Sequence, residues 1–169
     1  MRVLVLSLTV LAVLAIAGVA NAQIPNAGFE NWVSGEPVGW VTPNSPGFDT
    51  LVTPSGDRHG GALAMRGEVK SLFGFPFAPT VITGEDTVSG FPVTQRHASL
   101  TGWYKFAPVQ DDQMIVWVWM YTATGDSGIG FGGELLGPAS TFTLFTLPIT
   151  YATGNVPGMC VIEFSVVGG

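Results

Sequence analysis

Trp103, Trp117, Trp119 and Tyr121 fall at odd-numbered positions of two runs whose even positions are largely apolar. Flat apolar C–H faces of sugar rings stack on such side chains, and sugar hydroxyls seek polar neighbours. Gln113 and Lys105 lie on the same parity, and Gln95 lies close upstream. Several indoles on one sheet face are unfavourable in water unless something covers them, and exposed apolar patches mark interaction sites. Indoles are also mostly buried on average, so a cover formed by the Phe- and Pro-rich run Ser71–Pro79 accounts for the same pattern. Both readings stay open at this point.

Other chemistries find less support. Hydrolysis needs a nucleophile with its base, or two opposed carboxylates. The imidazoles are His59 and His97, which are not in metal-ligand spacing. Asp57, Glu85, Asp86, Asp111, Asp112 and Asp126 sit among turn formers and read as solvated turn residues. GIGFGG at 128–133 matches the glycine pattern of a dinucleotide site. That site requires a helix to follow, and Pro138 with the Thr/Phe-rich run after it excludes one; the segment 122–138 reads as a long Gly-rich connection. Cys160 alternates with Ile162, Phe164 and Val166, which predicts a buried, inert thiol.

The elements that must position these residues are strands. Over Ala98–Tyr121 the alternation predicts two antiparallel strands joined by a loop holding Pro108, Asp111 and Asp112, with even-numbered residues toward the core. Phe145, Leu147, Ile149 and Tyr151 share one face of a further strand. High Gly, Pro, Thr and Val content without helical periodicity predicts an all-β domain. Twelve acidic residues against six Lys and Arg give a net charge of −6, which argues against nucleic acid as a partner. Arg2, the apolar run Val3–Val19 and the small-x-small site Ala20-Asn21-Ala22 predict a signal peptide over 1–22 and a domain over 23–169. The cleavage site favours removal over an uncleaved membrane helix, so no membrane contact is expected after processing.

Order matters for the remaining motifs. N-x-G-F-E-x-W at 26–32 precedes G-x-P-x-G-W at 35–40, DRHGGALAMR at 57–66, LTGWYKFAP at 100–108, TLPITY at 146–151 and CVIEFSV at 160–166. Together they resemble secreted galactose-binding-like β-sandwiches, among them carbohydrate-binding modules and the putative carbohydrate metabolism domain of Bacteroidetes-type surface proteins. The resemblance implies a jelly-roll sandwich without catalytic residues that recognises a glycan or surface polysaccharide at or beyond the bacterial cell surface. A second reading is a cell-surface adhesion or structural module that contacts protein. The resemblance also implies a structural calcium near Glu30, whose partner carboxylate would lie on a closing strand after the I-x-F-x strand. The chain ends at Gly169, before such a strand, and self-association through an open sheet edge is the expected consequence. Mass spectrometry of the exported protein is expected to give Gln23 as the first residue; retention of Met1 would contradict the signal-peptide assignment.

Overall fold

Short runs of β-branched and aromatic residues, broken by Gly and Pro, build strands throughout the computed structural model, which describes residues 24–85 and 88–167. Residues 1–23, over which the signal peptide is expected, Asp86, Thr87 and the terminal Gly168-Gly169 lie outside the described residues. The strands are β1 (Trp32–Val33), β2 (Glu36–Pro37), β3 (Trp40–Val41), β4 (Val52–Ser55), β5 (Ala64–Gly67), β6 (Lys70–Leu72), β7 (Phe75–Phe77) and β8 (Thr80–Glu85). They continue with β9 (Val88–Ser89), β10 (Phe91–Pro92), β11 (Ser99–Phe106), β12 (Gln113–Tyr121), β13 (Gly128–Leu136), β14 (Ala139–Pro148), β15 (Thr150–Tyr151) and β16 (Met159–Val167). No helix occurs among the described residues, and the chain is an all-β sandwich of antiparallel sheets.

The larger sheet runs in the order β15-β13-β12-β16-β8-β3, with β10 added to β16 and β9 to β8. β12 lies inside it, paired along its whole length with β16 and along nearly all of it with β13. Its even residues Val116, Val118 and Met120 are buried. They join Cys160 and Ile162 of β16 and Leu100, Phe145 and Leu147 of the facing layer, β11–β14, in one core. Trp40 and Phe29 close one side of that core, with ring centroids 5.0 Å apart.

Two expectations from sequence need correction. β11 and β12 do not form a hairpin: β11 pairs with β14, whereas β12 pairs with β13 and β16. The connection 107–112 carries the chain from one layer to the other. Each strand thereby gains a long partner and still turns its even face inward, since parity along a strand is local. Nor is 122–138 a long connection, because Gly128–Leu136 is the strand β13. Glycine weakens a strand interior but permits close approach of a neighbouring group. At Gly133 a Cβ would lie 2.2 Å from the Trp117 ring, so the indole rests on the space that this glycine leaves.

β8 shows how the larger sheet tolerates a break in its ladder. β16 pairs with β8 over Ser165–Glu163 and with β10 over Cys160–Met159, and Val161 and Ile162 stand between the two. The Oγ1 of Thr83, fully buried, accepts a 2.9 Å hydrogen bond from the Ile162 N–H there. Thr83→Val keeps the side-chain shape and removes the acceptor. It is expected to destabilise the protein by about 1–3 kcal/mol in urea unfolding, the cost of an unsatisfied buried donor.

Candidate functional site

The outward face of β12 carries Gln113, Ile115, Trp117, Trp119 and Tyr121, opposite in parity to the buried residues. Trp117 and Trp119 lie with ring centroids 6.0 Å apart and planes inclined by 28°. Phe131 of β13, the register partner of Trp119, stands 5.4 Å from Trp117 and 6.2 Å from Trp119. Three rings thus form one continuous surface. Phe131 and Leu135 are exposed, while the two indoles are half-buried. On the other flank, Glu163 of β16 is the register partner of Trp117, and Val161 that of Trp119.

Glu163 was not singled out in the sequence. It is the charged residue of the run CVIEFSV, at odd parity. Its place beside Trp117 follows only from the β12–β16 register. Burial raises its carboxyl above the usual carboxylate range. It therefore offers the aromatic surface a carboxyl whose charge is disfavoured by its apolar neighbours.

Trp103 and Lys105 belong to a different surface. They lie on the outward face of β11 in the opposite layer, so the four aromatic residues predicted together are divided between two faces. Trp103 is 48% exposed, but His59 stacks on its ring at 3.8 Å with planes inclined by 10°. Lys105 Nζ donates a 2.6 Å hydrogen bond to Asp57 Oδ2. Both side chains hold the loop 56–63 that connects β4 to β5.

Glu30 holds the same loop from its other end. Its carboxylate accepts hydrogen bonds from the Ala62 N–H at 2.9 and 3.1 Å and from the Leu63 N–H at 3.0 Å. Gly61 makes this approach possible: it has φ of +70°, and a Cβ there would lie 1.7 Å from Glu30 Oε1. Arg58 donates to the carbonyls of Gly61 and Gly56 within the loop. Glu30 thus binds backbone amides, and no group of three or more His, Cys, Asp or Glu suited to a metal ion occurs among the described residues.

The remaining candidates are dispersed. Cys160 is buried, and burial pushes its thiol up to about 12, well outside the reactive range. His97 is half-buried, with a buried Nε2 that has no partner among the described residues, and its carbonyl accepts a 3.1 Å hydrogen bond from Tyr151 Oη. His59 and His97 are held by different neighbours, Trp103 and Tyr151. No family model, curated protein or solved structure matches the chain.

The position of Glu163 has a measurable consequence. The folded protein retains the proton of this carboxyl to higher pH than the unfolded chain does. Across that interval the folded state binds more protons, so this group makes stability fall as pH rises from the ordinary carboxylate value through the raised one. Glu163→Gln is expected to raise the melting temperature near neutral pH and to leave it unchanged below the carboxylate range. A lowered melting temperature at neutral pH would show that the charge is stabilised in place.

Proposed function

We propose that the chain is a secreted or cell-surface, non-catalytic module of galactose-binding-like jelly-roll type that recognises a glycan or surface polysaccharide. Its site is the outward face of β12: Trp117 and Trp119, with Phe131 alongside and Gln113, Tyr121 and Glu163 at the margins. The observation that carries this reading is the continuous three-ring surface, turned to solvent on a strand whose opposite face is anchored in the core. A sugar ring stacked there keeps its hydroxyls within reach of the polar margin. Stacking of this kind needs a rigid platform, because ordering mobile side chains would consume the binding energy.

Recognition without turnover suits this surface. Glycoside hydrolysis uses two carboxyl groups on either side of the scissile bond, whereas Glu163 is the carboxylate beside the rings. The second reading, a surface that contacts protein in adhesion, draws support from Ile115 and Leu135, which extend the apolar area beyond the rings.

Titration of the exported protein against a polysaccharide panel, read by tryptophan fluorescence, tests the proposal. Trp117→Ala and Trp119→Ala are each expected to weaken glycan binding about tenfold to a hundredfold, the effect of losing about 1–3 kcal/mol of ring stacking. Truncating a half-buried ring should lower stability by about 1–2 kcal/mol, less than the about 3–5 for a fully buried Trp. Trp103→Ala should leave affinity unchanged. Binding that survives loss of Trp117 and Trp119, or no fluorescence response to any polysaccharide, would overturn the assignment.

A further inference from the structure

The hairpin β6–β7 pairs with no other strand among the described residues. Its register, Lys70↔Phe77 and Leu72↔Phe75, places Leu72, Phe75 and Phe77 on one face. Phe73 is 85% exposed, Phe75 69% and Phe77 46%. The two-residue turn is Phe73-Gly74, with φ of 54° and 83°. Turns with two positive φ values favour Asn-Gly or Asp-Gly, and a bulky residue at positive φ is an outlier. Strained backbone and exposed aromatic surface both tend to mark functional sites. No strand pairing outside the hairpin covers these rings among the described residues.

A cleft of about 1320 Å³ opens at the root of this arm. Val69 and Pro79, which flank the hairpin, line it, and Met65, Tyr104, Phe145 and Phe164 supply its apolar wall. This exceeds the roughly 300–1,000 Å³ of small-molecule sites, and suits a polypeptide segment. β5 and β11 both border the cleft, and each pairs on one side only among the described residues. Open strand edges of this kind accept another strand.

We propose that two copies of this chain form a two-fold dimer in which the β6–β7 arm of each fills the cleft of the other. Because arm and cleft share the root at Val69 and Pro79, a single axis there serves both contacts, as in an isologous interface. The exposed parts of the three phenylalanines amount to roughly 400 Å² per copy at about 200 Å² per ring. Reciprocal docking then removes roughly 1,600 Å² counting both sides of both contacts, the size of a standard specific interface. Charge agrees with this pairing: residues 70–77 carry Lys70 and no acid, whereas the cleft is lined by the acids Glu30, Asp57, Glu68 and Asp112 against the cations Arg66 and Lys105, an acidic excess.

Sedimentation of the exported protein tests the dimer, and disulfide trapping tests its geometry. The wild-type protein is expected to sediment at twice the chain mass. The double variant Phe73→Ser/Phe75→Ser should sediment at the chain mass, with a melting curve that stays cooperative because both side chains are exposed. Oxidation of a mixture of Phe75→Cys and Met65→Cys chains should give a covalent heterodimer; Cys160 stays out of the exchange because it is buried. A wild-type protein that is monomeric at every concentration would overturn the proposal. So would a dimer that survives the double substitution, or a mixture that forms no covalent heterodimer.

Discussion

The register of β12 between β13 and β16 is the constraint on which the rest of the structure depends. A strand has two faces, and a shift by one residue exchanges them. Here pairing on both sides holds Val116, Val118 and Met120 in the core. The same pairing turns Trp117 and Trp119 outward over Gly133 and beside Glu163 and Phe131. Slippage by one residue would place two indoles inside the sandwich and expose its most buried side chains. The hydrophobic core and the aromatic surface are therefore two results of one register.

Around that sheet the chain invests its few polar side chains in holding loops. Glu30 binds the amides after Gly61, Asp57 receives Lys105, and His59 covers one face of Trp103. Asn44 does comparable work before β4, with Oδ1 accepting from Leu51 and Val52 and Nδ2 donating to the Val52 carbonyl. Hydrogen bonds to charged groups contribute more than neutral ones, and a domain with so few charges places several of them where a loop would otherwise be loosely held. The contrast with the β6–β7 arm is plain: Phe73, Phe75 and Phe77 have no such anchoring and face water.

Face parity was legible in the sequence because it is written into every second residue. The inward direction of Val116, Val118, Met120, Phe145 and Leu147, the all-β class and the buried state of Cys160 all follow from it. Strand partnership was not legible, since it depends on contacts far apart in the chain. Trp103 and Trp117 share a parity, yet they sit in different layers because 107–112 crosses over instead of turning back. The glycines of β13 resembled a loop because the room they leave, for the Tyr151 ring at Gly130, the Trp117 ring at Gly133 and the Pro148 carbonyl at Gly132, is visible only with those neighbours in place. The loop-holding role of Glu30 was hidden for a similar reason: its partners are backbone amides 32 and 33 residues away, which carry no side-chain signature.

The central claim, that the outward face of β12 is the recognition surface, can be tested at single residues through the five indole N–H signals of the protein. Trp32 and Trp40 donate to the carbonyls of Phe29 and Pro25 and should report no ligand. On titration with a polysaccharide that binds, the signals of Trp117 and Trp119 are expected to shift while those of Trp32, Trp40 and Trp103 stay in place. Shifts confined to Trp103, or binding that moves neither Trp117 nor Trp119, would contradict the account.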